Sequence, residues 1–207
     1  MDALSALELR VIGCLIEKQV STPDAYPLTL NSLVNACNQK SNRDPVLSLS
    51  EQQVQQVLDG LADKRLVNNV AGFNARAAKY QHRFCNTEFG GLRFSARELG
   101  IVCELMLRGP QTPGELRSRT QRLCQFDEVS QVEDCLQSLL EQGYVVKLPR
   151  LPGKRESRYA HLFGEETEFE QAVMPGHGDR EAELAQQVQE LTAEVALLKA
   201  RIKELEG

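Results

Sequence analysis

An internal repeat constrains this 207-residue chain more than any other feature of its sequence. Residues 95–99, SAREL, match residues 5–9, SALEL, at four of five positions. Further along, three apolar positions recur at a constant separation of 78 residues, where Leu58, Leu61 and Leu66 correspond to Leu136, Leu139 and Tyr144. Such a correspondence indicates two tandem copies of one structural unit.

The first copy has the order of three helices followed by a two-stranded hairpin. Ser5 and Ser50 each begin a capping box, in which a serine and a Glu or Gln three residues later cap a helix start. A second helix is predicted between them, over residues 28–36, and two strands follow at 66–71 and 79–85. This order is typical of a winged helix.

The second copy repeats that order. Thr112 begins a further capping box, with Pro113 at the first helical position, where proline is favoured. A third helix is predicted over residues 128–142, ended by Gly143, with strands at 144–148 and 158–163. We therefore expect a mainly α protein with small β wings, an α+β fold of two tandem winged-helix domains at residues 1–87 and 88–163.

The C-terminal segment carries a heptad pattern. Residues 164–179 form an acidic linker that contains Pro and Gly, and residues 180–207 follow as a helix with apolar residues spaced alternately by four and three: Leu184, Val188, Leu191, Val195, Leu198, Ile202 and Leu205. β-Branched residues at one heptad position and leucine at the other favour a parallel two-stranded coiled coil, which predicts a homodimer. The alternative is a single amphipathic helix that folds back on the same chain.

Charge is divided unevenly along the chain. Residues 1–163 hold 20 Lys and Arg against 18 Asp and Glu, whereas residues 164–207 hold 4 against 11. The near-neutral body neither demands nor excludes nucleic acid, because local patches decide such binding. The six cysteines include no CxxC pair, so we expect free thiols in a reducing compartment. With no membrane span or signal peptide visible, we expect a cytoplasmic protein.

No catalytic motif is present, so we expect neither enzymatic activity nor a cofactor. Carboxylates show no pairing beyond helix faces expected to be exposed. His82 and Cys85 have the spacing of two zinc ligands, but no second ligand pair is nearby in the sequence. We favour a solvated histidine beside a buried thiol, and no metal site.

The first copy contains the candidate binding residues. Its segment 38–45 is a loop too rich in amides and charge to be packing material, and glutamines at the start of the third helix could bond adenine. Cations of the loop and hairpin could meet phosphates. The candidates for nucleic-acid or partner binding are Asn38, Gln39, Lys40, Asn42, Arg43, Gln52, Gln53, Gln56, Arg76, Lys79 and Arg83. Glu51, Asp59 and Asp63 count against DNA, and the alternative is a solvated polar face.

The second copy has the opposite character. Residues 127–142, which contain its third helix, carry only negative charges, which oppose phosphate contact: Asp127, Glu128, Glu133, Asp134 and Glu141. Its hairpin is basic, with Lys147, Arg150, Lys154, Arg155 and Arg158, so phosphate contact could come from the hairpin alone. We expect that this copy does not contact bases.

Residues 26–46, YPLTLNSLVNACNQKSNRDPV, and the preceding helix ELRVIGCLIEK closely resemble the YceH-like family of bacterial proteins. The resemblance covers about residues 3–163, and its most specific part is the run from Asn35 to Arg43. It implies tandem winged-helix domains. It implies no established activity, substrate or cofactor, and it assigns no binding residues.

Two functions follow from these features. The first is a non-enzymatic, regulatory nucleic-acid-binding protein that dimerises through its C-terminal helix and contacts DNA with the first copy. The second is an interaction scaffold whose winged-helix surfaces bind another protein, which the acidic second copy and the near-neutral body favour.

Overall fold

A computed structural model describes residues 3–70, 77–88, 90–153 and 156–164, and residues 1–166 form one compact unit. The first half of this unit contains α1 (Ala6–Ser21), β1 (Leu28–Thr29), α2 (Leu30–Cys37), α3 (Glu51–Asp63), β2 (Val67–Asn69) and β3 (Lys79–His82). A short 3-10 helix, Pro23–Ala25, links α1 to β1. The second half contains α4 (Ala96–Arg108), α5 (Pro113–Arg119), α6 (Val129–Glu141), β4 (Val145–Lys147) and β5 (Tyr159–His161). The predicted α+β class is confirmed.

The strands form two small antiparallel sheets. In the first half β3 lies between β1 and β2, so that Tyr80 is paired with Leu28 on one side and Asn69 on the other. In the second half β5 pairs with β4, and Tyr159 also forms a bridge with Gln111 just before α5. The bridge between Gln111 and Tyr159 in the second half corresponds to the pairing of β1 with β3 in the first half. The repeat found in the sequence therefore extends to the strand pairing.

Side-chain caps define where the helices begin. The capping boxes predicted at Ser5, Ser50 and Thr112 are all confirmed, and Ser95 forms the corresponding box at α4. In each box the serine or threonine oxygen accepts from the backbone N–H three residues later, which satisfies a donor that lacks a partner within the helix. These positions were predictable because capping depends on neighbours in the sequence.

Helices α1 and α4 form the centre of the unit. Every residue of α1 from Glu8 to Glu17 is buried, and so is every residue of α4 from Gly100 to Leu107. A helix that is buried around its whole circumference must be covered by other elements on all sides. The first helices of the two halves pack against each other and share one hydrophobic core.

The two ends of this unit also meet. The N–H of Leu4 donates to the carbonyl of Phe163 at 2.9 Å, and Leu4 itself is fully buried. Nearby, the ring of Phe163 makes an edge-to-face contact with Phe84 of the first half, with ring centroids 5.1 Å apart. The predicted boundary between residues 87 and 88 therefore lies inside one compact unit, and its division into two domains stays a prediction.

The strands are shorter than the sequence predicts. β2 ends at Asn69 rather than at residue 71, and β3 ends at His82 rather than at residue 85, because the ladder between them pairs only three residues on each strand. β1 was not predicted, since two residues are too few to show an alternating pattern. The predicted linker and heptad helix, beyond Gly164, lie outside the described residues.

We expect opposite effects from alanine at two helical glycines. A Cβ at Gly13 would lie 2.9 Å from Cδ2 of the buried Leu107, whereas one at Gly60 would meet only Oε1 of Glu8, at 3.9 Å. Gly60→Ala should raise the free energy of unfolding by about 0.5–1 kcal/mol through helix propensity. Gly13→Ala should lower it by about 1 kcal/mol, because overpacking costs about 1–3 kcal/mol. Urea unfolding of both variants measures this, and equal stabilisation would contradict close packing of α1 on α4.

Candidate functional site

The exposed face of α3 presents amide side chains. Gln52 and Gln56 are exposed and lie one turn apart on the same face, and neither is hydrogen-bonded to another residue in the described ranges. Gln53 is also exposed, but its Oε1 accepts from the N–H of Ser50 at 2.9 Å and so belongs to the helix cap. Two of the three predicted glutamines are therefore available to a ligand.

The loop after α2 is held beside the start of α3 by Asn38. Its Nδ2 donates to the carbonyl of Leu49 at 2.8 Å, and its Oδ1 accepts from the N–H of Leu49 at 2.7 Å. Gln39, which is half-buried, and Lys40, which is exposed, directly follow this anchor in the chain. Asn38 itself is committed to this contact. We call Gln39, Lys40, Gln52 and Gln56 the amide surface.

The β2–β3 hairpin is joined to α3 by Tyr80. Its hydroxyl donates to Oε1 of Gln55 at 3.1 Å, and Nε2 of Gln55 donates to Asp59 at 2.7 Å. Lys79 and Arg83 are exposed on and just after β3. The hairpin therefore brings two cations to the same half as the amide surface. Arg76 lies outside the described residues.

Positive and negative charges are nearly balanced in the half that contains α3. Five of its described cations are exposed, Lys40, Lys64, Arg65, Lys79 and Arg83, and so are six carboxylates, Asp24, Asp44, Glu51, Asp59, Asp63 and Glu88. A phosphate ligand would therefore be selected by the positions of the cations rather than by an excess of positive charge.

Arg43 is a structural residue. Its side chain is completely buried, and its guanidinium forms an ion pair with Glu17 of α1, with Nη2 2.6 Å from Oε2. The remaining donors reach the carbonyl of Ala36 at 2.9 Å and that of Asn42 at 2.7 Å. Arg43 cannot contact a ligand without leaving this site. The expectation that residues 38–45 are not packing material is therefore wrong at Arg43, because a guanidinium can be buried when all its bonds are satisfied.

The same network of ion pairs and hydrogen bonds joins the two halves of the unit. Arg122, from the second half, donates to Oε1 of Glu17 at 2.8 Å and lies 3.6 Å from Oε1 of Glu104. Asn42 accepts at Oδ1 from Arg108 of α4 at 3.2 Å. Asn42 also adopts a φ of 57°, a left-handed conformation that asparagine tolerates. Asn42 thus contacts the second half of the chain.

The two carboxylates of this network differ in their environment. Burial opposes ionisation of Glu17, but the hydrogen bonds and charge of Arg43 hold the pKa of Glu17 below its ordinary value. Burial raises the pKa of Glu104, and neither of its carboxyl oxygens has a hydrogen-bond partner among the described residues. Glu17 is therefore stabilised as an anion, whereas Glu104 is not.

Both histidines of the described strands are buried rather than solvated. His82 of β3 and His161 of β5 are each 7% exposed, and burial lowers the pKa of each to about 4. His82 is hydrogen-bonded through Nε2 to Gln19 of α1. The prediction of a solvated His82 is wrong, because β3 packs that side chain against α1. In the described ranges no three His, Cys, Asp or Glu side chains are grouped to hold a metal ion.

The second half shows the acidic helix that its sequence predicts. Glu128, at the start of α6, and Glu133, Asp134 and Glu141, along it, are all exposed. On the hairpin Lys147 and Arg150 are exposed and Arg158 is half-buried, while Lys154 and Arg155 lie outside the described residues. The two halves therefore expose different chemistry from the same arrangement of elements.

This α+β arrangement belongs to a bacterial protein family. The family described as "Protein of unknown function, DUF480" matches residues 4–154, so the chain is a member of it, in agreement with the YceH-like resemblance. A UPF0502 protein of Aeromonas hydrophila is 62% identical over 213 residues, covering 99% of this chain and 98% of the relative. A UPF0502 protein of Aeromonas salmonicida is 71% identical over 81% of this chain and 77% of the relative. A Vibrio cholerae relative, UPF0502 protein VC_A0740, is 59% identical over 91% and 88%.

No helix among the described residues has the length and apolar character needed to cross a lipid bilayer.

We expect Arg43→Ala to destabilise the protein strongly. Removing the buried partner of Glu17 breaks a buried ion pair, which costs about 3–5 kcal/mol, and leaves only the more exposed Arg122 and Lys18 beside the carboxylate. The matched control is Lys40→Ala, which removes an exposed cation three residues away and should change the free energy of unfolding by no more than about 0.5 kcal/mol. Urea unfolding at pH 7 compares the two, and equal effects would exclude a structural role for Arg43.

The two buried carboxylates should give opposite pH dependences. Because the pKa of Glu17 is lowered on folding, the stability that wild type has over Glu17→Gln should be present above pH 4.5 and be lost as the pH falls. Because the pKa of Glu104 is raised, wild type should lose stability relative to Glu104→Gln as the pH rises from 4.5 through that raised pKa. Unfolding free energies between pH 3 and pH 8 test both signs, and parallel curves for the two variants would refute this assignment.

Proposed function

We propose that the chain is a non-enzymatic nucleic-acid-binding protein of regulatory type, in which the first half acts as a winged helix. The observation that carries this proposal is the order α1-β1-α2-α3-β2-β3 with β3 central in the sheet and an exposed amide face on α3. In helix-turn-helix proteins the helix in this position enters the major groove. We assign α3 this role.

We assign base contact to Gln52 and Gln56. A glutamine amide can bond adenine through both its oxygen and its nitrogen, which discriminates between bases by about 1–3 kcal/mol. Their separation of one helical turn places both side chains on the side of α3 that would face the groove. Gln53 supports them indirectly, by capping the helix.

We assign phosphate contact to Lys40 and to the hairpin cations Lys79 and Arg83. Arg76 is a fourth candidate, which the sequence predicts. Exposed cations on either side of a groove-bound helix fix its register on the duplex without selecting a sequence. Three such contacts correspond to a slope of about −3 in a plot of log K against log salt concentration.

The second half is assigned no base contact. The exposed carboxylates of α6 would oppose the phosphate backbone if that helix entered a groove. Its basic hairpin leaves phosphate contact possible through Lys147 and Arg150 alone. We propose further that the heptad positions from Leu184 to Leu205 pair two chains, since dimers bind two half-sites on DNA. Six free cysteines support a cytoplasmic location.

A protein-interaction scaffold is the second candidate function. It is favoured by the acidic exposed face of α6 and by the balance of charge around α3, both of which suit a polypeptide partner. In this case the amide surface would bind a protein segment rather than a base. Variants of Arg43 cannot test it, because that side chain is buried.

Fluorescence anisotropy with labelled genomic fragments tests the first function. Lys40→Ala and Lys79→Ala should each weaken binding about equally on all sequences and reduce the salt slope by about 1. Gln56→Ala should cost about 1–3 kcal/mol on a preferred sequence only. Gln137→Ala, an exposed glutamine of α6, serves as the matched control and should have no effect.

Two results would contradict the nucleic-acid proposal. Undetectable binding at low ionic strength, or binding that does not depend on salt, would overturn the nucleic-acid proposal. A stoichiometric protein partner that is lost with Lys40→Ala and retained with Gln137→Ala would establish the scaffold instead.

A further inference from the structure

The contact between the third helix and the hairpin occurs in both halves, and the two halves differ most clearly there. Positions of the third helices correspond at a separation of 78 residues, since Val54, Leu58 and Leu61 are buried as Val132, Leu136 and Leu139 are. Gln55 therefore corresponds to Glu133. By strand register, Tyr80 opposite Asn69 corresponds to Tyr159 opposite Lys147.

In the first half a hydrogen bond joins the helix and the hairpin at this place. The hydroxyl of Tyr80 donates to Oε1 of Gln55 at 3.1 Å, which ties the hairpin to α3. In the second half the glutamine is replaced by Glu133 and the asparagine by Lys147. A cavity of about 180 Å³ lies here, lined by Pro113, Val129, Glu133, Lys147, Arg150, Glu156, Ser157 and Tyr159.

The lining of this cavity is mainly polar, with charged side chains around two buried residues. Pro113 and Tyr159 are buried, whereas the two cations and two carboxylates around them are exposed. The ammonium of Lys147 lies 5.8 Å from the centre of the Tyr159 ring, and Glu156 lies over the first turn of α5. None of the four charged side chains forms an ion pair with another residue of the described ranges.

Charges of both signs that form no ion pair with a described residue, set around the buried Pro113 and Tyr159, suit a ligand that carries both signs itself. The volume is well below the roughly 300–1,000 Å³ of sites for drug-sized ligands, which limits the ligand to a molecule smaller than a drug. We propose that this cavity binds a small zwitterion of the amino-acid class, its carboxylate held by Lys147 and Arg150 and its ammonium by Glu133 and Glu156.

The side chain of such a ligand would lie on Tyr159 and Pro113. This site shares no residue with the amide surface and does not depend on nucleic-acid binding. Its failure and the failure of the proposed function are therefore distinguishable.

Isothermal titration calorimetry of the full chain with each of the common amino acids tests this proposal. Acetate and ethylammonium serve as probes that carry one charge only. We expect at least one amino acid to bind with one site per chain, at least tenfold more tightly than either probe. Glu133→Gln and Lys147→Gln should each weaken that binding at least fivefold without changing the melting temperature.

The matched control is Lys79→Gln, which removes an exposed cation from the other hairpin and should leave the affinity unchanged. The proposal is overturned if no amino acid binds more tightly than acetate, or if binding survives both Glu133→Gln and Lys147→Gln. Equal loss with Lys79→Gln would also overturn it, because the effect would then come from net charge and not from the cavity.

Discussion

The carboxylate of Glu17 is the interaction on which the rest of the unit depends. It lies on α1, without solvent exposure, and receives Arg43 from the first half and Arg122 from the second. A buried carboxylate is costly unless charge and hydrogen bonds surround it, and the buried Arg43 supplies the largest part of that compensation. The core around α1 and α4 supplies most of the apolar burial. Glu17 determines how the loop and the second half are arranged around that core.

This arrangement places structural and exposed residues next to each other in one short segment. Asn38 holds the start of α3, Arg43 is buried, and Arg10 donates from α1 to the carbonyls of Cys37 and Pro45 at 3.2 and 2.7 Å. Lys40, between these anchors, remains exposed. A cation on a rigidly held loop keeps a defined position relative to α3. The distinctive run from Asn35 to Arg43 is thus explained in good part by packing. Of the binding candidates within it, only Gln39 and Lys40 form no side-chain hydrogen bond with another described residue.

The duplication shows how one arrangement of elements accommodates two surfaces. Equivalent apolar positions are buried in both halves, because both hairpins and third helices must cover the same pair of central helices. The exposed positions are free of that requirement. The first half presents amides and closes its helix–hairpin contact through Tyr80, whereas the second presents carboxylates and leaves a charged cavity beside Tyr159.

The sequence by itself determined the α+β class, the repeat and the helix starts, because capping boxes and apolar spacing depend on residues a few positions apart. It also determined that α3 carries exposed glutamines and α6 exposed carboxylates. Only the tertiary structure decided that Arg43, His82 and Glu104 are buried, since each is covered by elements distant in the chain. Nothing in the neighbouring sequence distinguishes Arg43 from Lys40. Arg43 is structural because it pairs with Glu17 of α1, 26 residues away, whereas Lys40 remains exposed.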